Sequence, residues 1–171
     1  MSRSSIRRKT KNIIIRSLNI GSDYPVSVQS MTNCNIKEVN KTIKQITKLE
    51  TLGCELVRIA FPDLDSCQYI SKIKEHINIP VMADIHFDHK VAIEAMRQNI
   101  DAIRINPGNI KKREQLIMII MEAKKRNLPI RLGVNAGSLD STILNKHKNP
   151  GVEAMVEEAT HFIELFQELN Y

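Results

Sequence analysis

The chain has no tryptophan and only 4% aromatic residues, so it lacks the row of stacking platforms that single-stranded nucleic acid requires. Its three cysteines, Cys34, Cys54 and Cys67, are widely spaced and form no CxxC pair. That excludes a recognisable zinc site or disulfide framework and fits reduced, structural thiols in a cytoplasmic protein. No apolar run reaches the length of a membrane span. Ile13–Ile15 is too short for a signal-peptide core. The Arg/Ser-rich start is faintly like an organelle transit peptide but runs directly into apparent structure. No GxGxxG or GxxxxGK(S/T) turn follows an apolar run, which weakens a dinucleotide or P-loop reading.

Acidic residues are missing from one place only. Residues 1–16 hold Arg3, Arg7, Arg8, Lys9, Lys11 and Arg16 and no acid. They account for the whole net charge of +6, and the rest of the chain carries 19 basic and 19 acidic groups. A flexible basic tail over residues 1–11 is therefore expected, with a phosphate-backbone arm as the alternative. Because the body is neutral, no nucleic-acid partner is expected for it.

What is present is a repeating pattern. Pro80–Ile85 and Ala102–Ile105 are short apolar runs with a helix-period segment between them, a strand–helix–strand unit. Asn12–Ile20 and Pro25–Met31 read as a hairpin around Gly21-Ser22-Asp23, the second run entering the main sheet. Asn33 or Asn35 then caps a helix to about Leu52, with Val39, Ile43, Ile46, Leu49 and Leu52 as its apolar stripe and Gly53 as its stop. Glu55–Phe61 is a strand, and Asp63 or Asp65 caps a helix to about His76. After Pro80–Ile85, Asp88 opens a helix to about Asn99, and Asp101–Ile105 is the next strand. A helix follows from Asn109 to about Arg126, with Leu116, Ile119, Ile120 and Ala123 inward and Met118 and Met121 read as core packing. Pro129–Val134 is a fifth strand. The polar stretch Ser138–Asn149 leads to Pro150 and a last helix to about Leu169.

Such alternation predicts an α/β fold with a parallel sheet and right-handed crossovers. A (β/α)8 barrel of the TIM type needs eight units, and this chain supplies about five, preceded by a short N-terminal hairpin. Residues 12–171 are accordingly expected to be the N-terminal part of a larger barrel. A complete five-stranded open domain is the alternative.

Three strands carry an arginine among β-branched neighbours: Arg58 in LVRIA, Arg104 in AIRIN and Arg131 in PIRLG. An unpartnered guanidinium in a sheet buried on both faces costs several kcal/mol, so the three are expected in register along one polar cavity, with Asp84 as internal partner. One acid against three arginines calls for an anionic ligand, and guanidinium forks suit phosphate oxygens. A network that only braces the barrel is the plainer reading. Asp84 and His86 share one strand face, as do Arg104 and Asn106. Gln29, Ser30 and Asn33, then Asn109, and finally Asn135, Gly137 and Ser138 add polar groups at other strand ends. His86 suits an acid–base role near neutral pH. Asp84, His86 and Asp88 also read as metal ligands; the alternation suits Asp84 and His86, but no third ligand is assured, and no metal is assigned. His76, His89, His147 and His161 read as surface residues.

Five segments carry a family resemblance: VQSMTN at 28–33, VRIAFP at 57–62, ADIHFD at 83–88, RINPGN at 104–109 and RLGVNAGSL at 131–139. In that order they resemble the signatures of bacterial 4-hydroxy-3-methylbut-2-enyl diphosphate synthases, over about residues 10–171 and only the first half of that family's chain. The resemblance implies a barrel that binds 2-C-methyl-D-erythritol 2,4-cyclodiphosphate at its top. It also implies reductive ring opening and dehydroxylation to a linear allylic diphosphate in non-mevalonate isoprenoid synthesis. By resemblance Arg58, Arg104 and Arg131 hold the diphosphate. Asp84, His86, Asn106 and Asn135 line the pocket, with Asp84 and His86 the catalytic candidates. A [4Fe-4S] cluster in a separate C-terminal domain, flavodoxin or ferredoxin as electron donor, and a homodimer of the full-length enzyme are likewise implied. The cluster ligands are absent from this chain, and Cys34, Cys54 and Cys67 do not match them. The chain alone is expected to bind phosphate but not to turn over. Other readings are another phosphate- or pterin-binding barrel synthase, a truncated inactive product, and a basic-arm RNA-binding module.

Overall fold

The computed structural model describes residues 7–110 and 112–171. Part of the expected tail, residues 1–6, lies outside the described residues. Further along that segment, the Arg7 guanidinium donates to the carbonyls of Tyr24 and Gly21, and Thr10 and Ser22 exchange two hydrogen bonds of 3.2 and 2.9 Å.

An antiparallel hairpin comes first, β1 (Ile13–Ile15) and β2 (Leu18–Ile20). Its reversal is at Arg16-Ser17, not at Gly21-Ser22-Asp23 as the turn residues suggested. The triplets III and LNI, separated by the two polar residues Arg16 and Ser17, already make a hairpin, and Arg16 takes the left-handed conformation (φ 54°) that the tight turn requires. Ile15 inserts among Leu56, Met82 and Ala102, so the hairpin floors one end of the main sheet.

That sheet has five parallel strands in sequential order: β3 (Gln29–Met31), β4 (Leu56–Ala60), β5 (Val81–Ile85), β6 (Ala102–Ile105) and β7 (Ile130–Leu132). Between them run α1 (Val39–Thr51), α2 (Ile70–Lys74), α3 (His89–Arg97) and α4 (Arg113–Lys125). Val57, Ile59, Val81, Ala83, Ile85, Ile103 and Ile105 face these helices and are buried, forming the main core with Ile46, Ile73, Met96, Ile119 and Ile120. Alternation along each strand thus sends apolar residues outward to the helices and charged residues to the other face.

The sheet closes like a barrel wall. Arg131 Nη1 on β7 donates to Gln29 Oε1 on β3 at 3.0 Å. Four inter-strand steps would separate these edge strands by roughly 19 Å in a flat sheet, beyond the combined reach of the two side chains. The stagger is equally informative. Arg131 pairs with Arg104, Arg104 with Asp84 and Asp84 with Ala60, two residues past the Arg58 that pairs with Met31. Gln29 therefore sits four residues below the level of Arg131 in the sheet register, one residue per strand step. That is the shear of an eight-stranded TIM barrel.

Several helix ends differ from expectation. Asp63 accepts from Ser66 N, as a cap should, but the chain first makes a 3-10 segment, Leu64–Tyr69, before α2. Asn109 does not start α4: Asn106 caps a single 3-10 turn, Pro107–Asn109, and α4 begins at Arg113. The polar stretch after β7 contains a helix, α5 (Ser141–His147), capped by Asp140 and burying only Ile143. It turns into α6 (Val152–Glu168), where Lys146 and His147 both bond Glu157 and hold its carboxyl down at about 2. Met118 and Met121 are exposed rather than core, because the buried stripe of α4 is Leu116, Ile119, Ile120 and Ala123. His76 and His161 are exposed, His89 and His147 half-buried. No helix among the described residues is long and apolar enough to cross a membrane.

Leu52 caps the end of α1 and is 74% exposed, whereas Ile46 is fully buried against the sheet. Ile46→Ala is expected to cost about 2–5 kcal/mol of unfolding free energy and Leu52→Ala less than about 0.5 kcal/mol, read by urea denaturation.

Candidate functional site

The inner face of the wall carries the charge. Asp84, on the central strand β5, is 2% exposed. Its Oδ2 lies 3.4 Å from Arg58 Nε and 3.5 Å from His86 Nε2, and its Oδ1 lies 3.2 Å from Arg104 Nη1. One carboxylate is thus shared by strands on both sides and by the residue that follows its own strand. Arg58 Nε also contacts Met31 Sδ at 3.2 Å, which seats it against β3. Among the described residues Arg131 pairs with no carboxylate and bonds Gln29 instead. Three guanidiniums against one carboxylate leave two positive charges in the barrel mouth.

The three arginines are not in one row. Arg104 and Arg131 are register partners, while Arg58 pairs with Met82, one inward position lower. Barrel shear compensates, because one residue of stagger per strand brings Arg58 level with Arg104 around Asp84. The shared face follows from strand patterns; the stagger between the arginines does not.

The asparagines serve the loops. Asn106 is 1% exposed; its Nδ2 donates to Ser138 Oγ at 2.8 Å, and its Oδ1 accepts from Gly108 N at 3.1 Å. Asn135 is exposed and its Oδ1 accepts from Gly137 N at 3.1 Å, while Ser138 Oγ donates back to Asn135 O at 3.2 Å. Gly108 belongs to the same knot: a β-carbon there would collide with Ser138 O. The loops after β6 and β7 are therefore tied together beside the mouth. Asp88 turns away from Asp84 and His86 to cap α3, accepting from Lys90 N at 2.8 Å.

His86 stands at the rim with its side chain 45% exposed. A cleft of about 230 Å³ beside it is lined by Phe61, Pro62, Phe87 and Val91. A separate groove of about 450 Å³ lies outside the barrel, between the β6 and β7 loops and α6. Its buried carboxyl, Glu158, is pushed up from the ordinary range chiefly by burial.

The thiols do not fit a metal cluster. Cys54 and Cys67 are buried, bonded to the carbonyls of Leu56 and Val91, and burial pushes the Cys67 thiol up to about 11. Cys34 bonds Gln45 and Thr42. Among the described residues no group of three or more His, Cys, Asp or Glu is placed to hold a metal ion.

A parallel wall with barrel shear, a floored N-terminal end and charged groups at the C-terminal strand ends defines a TIM-type barrel. Residues 10–171 match the GcpE TIM-barrel domain, and the chain belongs to that family. It is 49% identical over 162 residues to a protein of Caldicellulosiruptor saccharolyticus named 4-hydroxy-3-methylbut-2-en-1-yl diphosphate synthase (flavodoxin), covering 95% of this chain and 47% of that one. A protein of the same name from Buchnera aphidicola is 45% identical, with 96% and 45% covered. The chain thus spans about half the length of the curated relatives it matches. Among solved structures, a dihydropteroate synthase of Yersinia pestis superposes with a TM-score of 0.63 at 14% identity, covering 92% of this chain and 57% of that one; the likeness is one of fold.

Removing the shared carboxylate leaves Arg58 and Arg104 facing each other uncompensated. Asp84→Ala is expected to lose about 3 kcal/mol of stability, the low end for a broken buried pair because both arginines keep some solvent. In chemical denaturation with and without inorganic pyrophosphate, the anion should restore part of that loss; no loss would remove Asp84 from its bracing role.

Proposed function

We propose that this chain is the substrate-binding wall of a 4-hydroxy-3-methylbut-2-enyl diphosphate synthase. The observation that carries the reading is the excess of guanidinium over carboxylate inside the barrel mouth. Arg forks pair with phosphate oxygens in two parallel bonds, and a cyclic diphosphate offers the charge this cavity leaves unbalanced. The names of the relatives supply the product, and the resemblance carried by the ordered motifs implies the substrate, 2-C-methyl-D-erythritol 2,4-cyclodiphosphate.

In this reading Arg58, Arg104 and Arg131 hold the diphosphate, and Asp84 fixes the first two. His86 sits at the rim beside Asp84, where it can pass a proton to the oxygen that leaves. Asn106 and Asn135 shape the wall through the loops they tie. The reaction takes up two electrons and a proton, breaks one carbon–oxygen bond to the diphosphate and one to the hydroxyl, forms a carbon–carbon double bond between those two carbons and releases the hydroxyl as water. Electrons come from flavodoxin, the donor in the relatives' names, or from ferredoxin. The three thiols form no cradle for an iron–sulfur centre, so a [4Fe-4S] cluster in the full-length enzyme takes its ligands from outside these residues. That enzyme works in the cytoplasm as a homodimer, and this chain alone binds without turning over. A pterin-binding synthase shares the fold but has no further support here.

Calorimetric titration of the chain with the cyclodiphosphate tests the reading. Arg104→Ala should weaken binding by about 1.5–3 kcal/mol, the range for hydrogen bonds to charged groups. Absence of binding by the parent chain, or equal affinity of the variant, overturns it.

A further inference from the structure

Arg104 is held at two points, and only one of them is Asp84. Its guanidinium also turns its Nε/Nη2 edge toward Gly133, the next inward-facing position after Arg131 on the chain leaving β7. A β-carbon built on Gly133 would fall 2.6 Å from Arg104 Nε and 2.7 Å from Cζ, and closer still to Nη2. No real side chain tolerates such an approach, so the seat exists only because residue 133 has no side chain. The backbone there is otherwise ordinary. Gly133 is not among the positive-φ glycines, and its N–H continues the ladder to Ile105 O at 2.8 Å. Glycine is therefore not required for the turn of the chain. What uses it is the guanidinium.

We propose that Gly133 is a positioning residue for anion binding: its bare backbone and the Asp84 carboxylate together clamp the Arg104 fork at the barrel mouth. The inference rests on the anion-binding reading of this site and deepens it. Asp84 engages Nη1. Gly133 stands against the Nε/Nη2 edge, so the N–H groups left over on Nη1 and Nη2 have one way to point. An arginine held by the carboxylate alone would swing about that bond and meet a phosphate with its rotamers unpaid for; a seated one meets it preorganised. A β-carbon at 133 removes the seat by pushing the Arg104 guanidinium off it, and it leaves the ladder bond from Gly133 N–H to Ile105 O in place.

The test is a double-mutant cycle on the 171-residue chain, with inorganic pyrophosphate as probe. Gly133→Ala should weaken pyrophosphate binding by about tenfold, on the order of one charge-assisted hydrogen bond. In the Arg104→Ala background the same change should add nothing. The ¹⁵N–¹H signal of Arg104 Nε supplies a readout that needs no ligand. It should be dispersed and slow to exchange in the parent chain and should move to the position of free arginines in Gly133→Ala, while the melting temperature stays within a few degrees. An equal loss in both backgrounds would mark Gly133 as merely structural and overturn the proposal, as would an unmoved Nε signal. A parent chain that does not bind pyrophosphate would overturn the anion-binding reading instead, and the Nε signal would still decide the role of Gly133.

Discussion

One buried carboxylate sets the terms for the inner face of this barrel. Asp84 lies on the middle strand, nearly out of solvent, with a guanidinium from the strand on either side of it. Without it, two arginines would face each other in a partly desolvated space, a cost that packing elsewhere would have to offset. With it, they are spaced and aimed but not neutralised. The distances of 3.2–3.5 Å show a carboxylate shared among partners rather than forked onto one. Shared holding leaves N–H groups of both arginines available at the mouth. A tighter one-to-one bridge would consume a fork and leave less for a ligand.

The strand alternation made this face legible in the sequence. LVRIA, MADIH and AIRIN each place a charged residue between apolar ones, and residues two apart share a face. That was enough to gather Arg58, Asp84, His86 and Arg104 before any fold was known. It was not enough to say how Arg131 is held or why Gly133 matters. The Gln29–Arg131 bond joins residues 102 positions apart and exists only because the sheet curls with barrel shear. The Arg104–Gly133 seat depends on which way a side chain leans, and a lone glycine in RLGVN carries no such message. Asn106 and Asn135 illustrate the opposite case. Both fall where the pattern placed them, yet their side chains bond the loops beside the mouth.

Helix periodicity worked where packing decides and failed where chain direction does. Leu116, Ile119, Ile120 and Ala123 are buried because α4 lies on the sheet along that stripe. Leu52 continues the same spacing in α1 but falls on the cap, where Gly53 takes φ 88° and turns the chain away. The helix α5 has no periodic signature, because seven residues with one buried side chain give no stripe to read. It was announced only by Asp140, whose side chain accepts from Thr142 N.

The two faces of the sheet divide stability from function. The large core lies wholly between the strands and the helices, and the inner face contributes only the small floor where Ile15 meets Leu56, Met82 and Ala102. Charged side chains on the upper inner face therefore displace little apolar burial. That separation lets a barrel carry an electrostatically unbalanced mouth. The imbalance is confined to a layer that the core does not use, bounded below by the hairpin floor and beside the mouth by the Asn106–Ser138 knot. A change at Asp84 reaches the fold through charge, and a change at Ile46 reaches it through packing. A β-carbon at Gly133 meets only the Arg104 guanidinium among its nearest neighbours, so it acts on the placing of one charged group rather than on the apolar core.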